Sequence, residues 1–215
     1  MIESASGIIL RTRPLTETSL IVHWLSPELG RLATVAKGAR RPKSPFAGKL
    51  DLFYTAEFTF SRSRSSDLHN LREVKLTETH SSIRNDLVRL EQAAYATAFI
   101  EQATETETPL PEIYALLTRF LGWLCQQTPK PQSIFALELK LLRELGMEPD
   151  LTTTSLTAGT RKIVITLQND DWAVAARLKL SGAQVAEIRH WLHGFLIFHL
   201  GRLPRGRTVA VSGNP

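Results

Sequence analysis

The sequence predicts an α+β chain in two parts, a five-stranded N-terminal barrel over residues 1–80 and an all-helical domain over residues 81–215 with a small β-hairpin insert at about 151–180. Three observations carry that expectation. Apolar residues alternate with a period of two over short runs up to Thr77, and the period becomes helical after Thr79. Between Gly30 and Leu50 stand six cations, Arg31, Lys37, Arg40, Arg41, Lys43 and Lys49, with no acid between Glu28 and Asp51. Five short strands with one long loop after the third fit a small closed barrel of the oligonucleotide-binding (OB) type, with an SH3-like barrel as the competing fold.

The first strand is Ser6–Arg13, where Ile8, Ile9 and Leu10 run into Arg11 and Arg13. In Ser19–Ser26, Leu20, Val22 and Trp24 alternate with Ile21, His23 and Leu25, so both faces are apolar enough for a closed or covered sheet. A turn at Pro27–Gly30 leads to a third strand, Leu32–Ala36, and then to the basic loop at 37–51. Tyr54, Ala56, Phe58 and Phe60 alternate with Thr55, Glu57 and Thr59 in the fourth strand. A polar turn, Ser61–Asp67, carries Arg62 and Arg64 before the fifth strand, Leu71–Thr77.

Ser81 or Ser82 can cap the first helix, whose middle, residues 93–100, is apolar almost all round, as in a helix buried in a bundle. Thr108, Pro109 and Pro111 break it. Ile113, Leu116, Leu117, Phe120, Leu121 and Leu124 then form one stripe of about four turns. After Thr128–Pro131, a third amphipathic helix carries Ile134, Leu137, Leu141, Leu142 and Leu145 and stops at Gly146. Residues 163–167 (IVITL) and 172–175 (WAVA), with turn residues between, predict the hairpin. Ser181 caps a last helix with Val185, Ile188, Leu192, Phe195 and Leu196 inward, ended by Gly201, and the basic tail after it is expected to be loosely held.

Net charge is +5, unevenly spread. Residues 1–80 carry 12 Lys/Arg against 8 Asp/Glu, residues 81–145 carry 6 against 8, and residues 146–215 carry 8 against 5. A basic N-terminal part with an uncompensated cationic loop is what a phosphate backbone recruits, which makes DNA-binding candidates of Lys37, Arg40, Arg41, Lys43, Lys49 and Arg31, with Arg11, Arg13, Arg62 and Arg64 beside them. A solvated loop is the alternative reading of the same charge. Phe46, Phe53 and Tyr54 are the rings available for base stacking, although an aromatic in a strand is more often core.

Enzymatic chemistry finds no support. The lone Cys125, in an apolar helical pattern where a buried thiol is expected, excludes an internal disulfide framework and a cysteine-based zinc knuckle. His190 and His193 could share a helix face, but His199 lies about 180° round from His190. GARRPKS lacks the phosphate-loop pattern, and no Gly-x-Ser-x-Gly elbow is present. No catalytic residue, metal or cofactor is expected. The N-terminus has no signal-peptide pattern and no apolar run approaches the roughly 20 residues that span a membrane, so a cytoplasmic protein without membrane partners is expected.

The stretch GIILRTRPLTETSLIVHWLSPELGRLATVAKGARRPKSPFAG, the later LRELGMEPDL and the closing FLIFHLGRLPRGR resemble the RecO family of recombinational DNA repair proteins. The resemblance implies an OB barrel and a helical domain, binding of single- and double-stranded DNA, annealing of complementary strands, and help in loading the recombinase onto DNA coated by single-stranded-DNA-binding protein (SSB). It implies RecR and the C-terminal tail of SSB as partners. Many members follow Gly-x-x-Pro-x-Leu with paired zinc-ribbon cysteines; here Gly146, Pro149 and Leu151 match, while the cysteine places fall on Thr154 and Thr157. Two functions remain: a DNA-binding annealing and loading factor, or a protein adaptor whose helical half docks partners while the barrel is structural.

Overall fold

The computed structural model describes residues 2–212, which fall into two compact units, Met1–Ser81 with Thr104–Thr118, and Ser82–Ala103 with Arg119–Pro215. In the first, β1 (Ile2–Pro14), β2 (Leu20–Ser26), β3 (Gly30–Ala36), β4 (Thr55–Ser61) and β5 (Leu68–Glu78) close a barrel in the order β1-β2-β3-β5-β4. β3 and β5 pair in parallel and every other neighbouring pair is antiparallel. That order is the OB arrangement and decides against the SH3-like alternative.

A single long strand serves two sides of the barrel. Residues Ile2–Ile8 of β1 pair with β4 and residues Ile8–Pro14 pair with β2, with the register shifting between Ile9 and Arg11. A bulge there bends the strand and turns the sheet's corner. The period-two patterns resolve into an inner set, Ile9, Val22, Trp24, Leu32, Ala56, Phe58, Phe60, Leu71 and Val74, that forms the core. Trp24 stacks on Phe58 with centroids 4.1 Å apart, and its buried indole N–H donates to Thr34 Oγ1 at 2.9 Å. Gly30 opens β3 at φ +66°, and a Cβ there would lie 1.8 Å from the carbonyl oxygen of Thr108, so both conformation and space require glycine.

In the second unit α3 (Pro131–Glu144) is central, touching α1 (Leu87–Ala103), α4 (Ala158–Asn169), α5 (Trp172–Arg177), α6 (Gly182–Leu200) and α7 (Arg207–Ser212). Its residues Gln132 to Leu139 are all buried, so it is enclosed all round where the sequence pattern predicts an amphipathic helix. The six-residue apolar stripe of α2 (Pro111–Gln126) is buried throughout, and Pro111 opens that helix rather than ending the one before. Ser181 caps α6 in a capping box with Gln184, and Gly201 closes it in the left-handed conformation. Cys125 is half-buried near the end of α2, not buried as expected.

Two expectations are corrected here. The segment predicted as a β-hairpin at 163–175, within the insert at about 151–180, is helical, forming α4 and α5. IVITL is β-branched, but burial falls on Thr160, Val164, Leu167 and Gln168, a helical series, and the Thr157 side chain accepts from the Thr160 N–H to cap the helix. Caps and packing on α3 override strand propensity. The tail after Gly201, expected to be loosely held, instead forms α7 against α1 and α3, with Arg207, Ala210 and Val211 buried.

Candidate nucleic-acid interface

The loop between β3 and β4 is held at three points. At its start the Arg40 N–H donates to Thr18 O (3.0 Å) and the Arg40 guanidinium to Thr16 O (3.2 Å), tying it to the β1–β2 turn. In its middle a run of tight turns, Arg41 N–H to Gly38 O, Ser44 to Arg41, Ala47 to Ser44 and Lys49 to Phe46, puts the Phe46 ring into the barrel core at 6% exposure. At its end the Phe53 N–H donates to Ile9 O (2.9 Å), and Phe53 O accepts from His80 Nδ1 (2.8 Å). Phe53 and His80 both take positive φ, 66° and 47°, a conformation that side chains rarely adopt and that this shared hydrogen bond helps to hold.

The anchored loop therefore presents its cations from a fixed frame. Lys37, Arg40, Arg41 and Lys43 are exposed and Lys49 is half-buried. None of the five forms an ion pair with a carboxylate among the described residues. Five cations on one loop, none ion-paired among the described residues, attract a polyanion whose binding releases counterions. Phe46 and Phe53 fill the core and are not the exposed stacking rings that the sequence reading made available, while Tyr54 is half-buried.

The other candidates divide. Arg11 and Arg13 are exposed on β1, opposite His23 and Ile21 of β2. Burial first, then the charges of Arg11, Arg13 and Arg31, hold the His23 imidazole down at about 4. Arg31 itself is half-buried and donates to the carbonyl of Thr104, while its own carbonyl accepts from the Glu107 N–H (2.8 Å). Arg62 is paired to Glu3 through Nε (2.8 Å) and Nη2 (3.0 Å) and to Glu107 through Nη1 (2.9 Å). The Glu3 hydrogen bond does most to raise the Arg62 guanidinium above its usual range, and the same bond does most to lower the Glu3 carboxyl. Arg31 and Arg62 thus brace the barrel against the Thr104–Thr118 segment, Arg62 with its charge compensated, whereas Arg64 is exposed in the β4–β5 turn.

The zinc ribbon's ligand places do not fit a metal. Thr154 Oγ1 accepts from the Leu156 N–H (2.9 Å), and Thr157 caps α4 while its hydroxyl donates to Glu187 Oε2 (3.0 Å), so both hydroxyls serve the backbone and a helix end. No group of three or more His, Cys, Asp or Glu able to hold a metal ion occurs among the described residues. His190 and His193 are exposed, and His199 packs on the Phe195 ring with centroids 4.3 Å apart.

Sequence reasoning missed two groups of residues. Phe46 reads as a loop aromatic, and only its isolation among Pro, Ala and Gly hinted at a plug. The other is a buried cluster in the helical unit, where Arg207 pairs bidentately with Glu138 (Nε to Oε1 2.7 Å, Nη2 to Oε2 2.9 Å) and Tyr95 Oη donates to Glu138 Oε1 at 2.5 Å. Burial first, and then the Glu138 charge, hold the Tyr95 hydroxyl well above its ordinary value, so it remains a donor. For Arg207 burial is the largest influence and lowers the guanidinium, but the charge and hydrogen bonds of Glu138, with Tyr95, together leave it raised.

A closed five-stranded OB barrel bearing a rigid, uncompensated cationic loop, joined to a helical bundle, places this chain among proteins built on an oligonucleotide-binding module. Comparison with known proteins makes the assignment particular. The family profile described as "Recombination protein O N terminal" matches residues 1–80, and "Recombination protein O C terminal" matches residues 84–162. DNA repair protein RecO of Anaeromyxobacter dehalogenans (strain 2CP-C) is 28% identical over 231 residues, spanning 92% of this chain and 91% of that protein. RecO of Bacillus pumilus is 32% identical over 70% of this chain and 58% of its own length, and RecO of Rhodopirellula baltica 32% over 66% and 53%. This chain belongs to the RecO family of DNA repair proteins. No helix among the described residues is long and apolar enough to cross a membrane.

Proposed function

We propose that this chain binds single- and double-stranded DNA through the β3–β4 loop, anneals complementary strands, and helps load the recombinase onto SSB-coated DNA, with RecR and the SSB tail as its protein partners in the cytoplasm. One observation carries the reading: Lys37, Arg40, Arg41, Lys43 and Lys49 stand on a loop anchored by Phe46, and none of them is ion-paired to a carboxylate among the described residues. Annealing in this scheme needs no covalent step. Cations that neutralise two backbones at once lower their mutual repulsion, and base pairing does the rest. The membership of the RecO family supports the setting in recombinational repair.

The adaptor reading has less to offer, since an adaptor has no use for five unpaired cations held rigid. The test replaces Lys37, Arg41, Lys43 and Lys49 by glutamine and leaves Arg40, whose side chain and N–H tie the loop down. Folding should be nearly unchanged, since surface substitutions move stability by within about 0.5 kcal/mol each. The slope of log affinity against log salt should become shallower by about two to four for single- and double-stranded DNA alike, and annealing should fall with it. A variant with the wild-type slope and annealing rate sinks the reading and favours the adaptor.

A further inference from the structure

A cleft of about 630 Å³ opens in the barrel unit beside the cationic loop. Pro45, Phe46 and Lys49 come to it from the loop, and Ala5, Phe58 and Val74 from β1, β4 and β5. Its polar residues include Ser4, Thr59, Glu57, Glu73, Arg72 and Lys75. Lys75 is bridged to Glu57 at 2.9 Å and Arg72 Nε donates to Ser61 Oγ at 2.9 Å, which leaves Lys49 as the cation without a partner and Glu73 as the acceptor without one among the described residues. The cleft has ample room for a planar group with an anionic attachment.

The occupant follows from continuity. Lys49 belongs both to the cationic loop and to the cleft wall, so a phosphate backbone drawn to the loop passes the cleft mouth with its bases within one nucleotide of it. Resting on the reading that the loop binds DNA, we infer that the cleft between this loop and strands β1, β4 and β5 receives an unpaired nucleobase of bound single-stranded DNA, with its phosphate on Lys49. Pro45 lines the cleft on the loop side of the base, and Glu57 and Glu73 supply acceptors for an exocyclic amine, which favours an amine-bearing base such as cytosine over thymine. A paired base cannot enter. The cleft thus gives single strands an advantage over duplex that the cations alone do not supply.

The experiment fills the cleft and leaves the loop charges in place. Ser4→Trp on the exposed rim and Ala5→Leu on the floor are each checked for folding by circular dichroism and thermal melting. Each should weaken binding of an oligodeoxycytidine by about 10-fold, with duplex affinity within about twofold and the salt slope unchanged, because a stacked base and not a phosphate contact is lost. In the wild-type protein, photocrosslinking of an oligodeoxynucleotide carrying 5-iododeoxycytidine should place the adduct on the tryptic peptide of residues 44–49, independent of any variant. Unchanged single-strand affinity in both folded variants, equal losses for duplex and single strand, or adducts confined to other peptides would overturn the inference. If the glutamine loop variant weakens DNA binding as expected while the filled clefts do not, only the base site falls. If the loop variant keeps the wild-type slope, the parent reading fails first.

Discussion

Replacing Arg207 by alanine removes the partner of a carboxylate that has no exposure at all. The Arg207 and Glu138 side chains are 4% and 0% exposed, joined by two hydrogen bonds of 2.7 and 2.9 Å, with Tyr95 as the other side chain on the carboxylate among the described residues. Truncating one member of such a pair leaves a buried charge uncompensated and costs about 3–5 kcal/mol. For a chain of this size each kilocalorie lowers the melting temperature by about 2–4 °C, so the helical unit should melt about 6–20 °C lower. Urea unfolding, followed by tryptophan fluorescence, measures the loss. The double variant Arg207→Met, Glu138→Leu should recover most of the loss, because the cost lies in the orphaned charge. A loss below about 1 kcal/mol would refute the account of α7 as held by this pair.

Other outcomes are expected together. The protein should keep its melting temperature in a strong chelator and carry no zinc, since Thr154 Oγ1 accepts from the Leu156 N–H and Thr157 caps α4; metal analysis near one zinc per chain would contradict this. His23, held down at about 4, adds stability that is present above pH 6.5 and lost as pH falls towards 4, on the order of 1 kcal/mol once discounted for its partial exposure. Compared with His23→Gln, the wild type should lose that much more between pH 7.5 and 4.5, and parallel curves would refute the assignment. The SSB tail, acidic with a terminal aromatic by family resemblance, should dock near Arg119, which is exposed one turn from half-buried Trp123, itself 5.9 Å from Trp172. Arg119→Glu should weaken a fluorescent tail peptide at least about 10-fold. Lys140 and Arg143 are poorer choices, being engaged with the Gln168 and Asp170 carbonyls and with Glu148 and Asn169.

The barrel was legible because β4 alternates with a period of two and β2 is apolar on both faces, as a closed and covered sheet requires, and α2 because its stripe never misses a turn. Residues 163–167 misled because β-branched side chains favour strands only weakly, while a cap at Thr157 and burial against α3 decide the matter. The buried role of Arg207 could not be read from a basic tail, since its partners Glu138 and Tyr95 lie 69 and 112 positions away in the sequence. In the interface the cations were visible as charge, but the sorting of Arg31 and Arg62 into braces depends on Thr104, Glu107 and Glu3, which only the fold brings near. Phe46 was read by its neighbours as surface when its ring closes the barrel.

Gly30 and the Thr104–Thr118 segment it meets have a consequence for how the chain is made. The barrel's covering segment is encoded after α1, so a ribosome delivers all five strands, then a helix belonging to the other unit, and only then the piece that Arg31, Arg62 and Gly30 require. A nascent chain stopped at residue 81 holds every strand but lacks its brace, and a gene fragment cut there inherits the same defect. Any dissection of this protein into separately expressed halves therefore has to carry residues 104–118 with the barrel, by permutation or by graft, and a simple truncation tests an unfinished barrel.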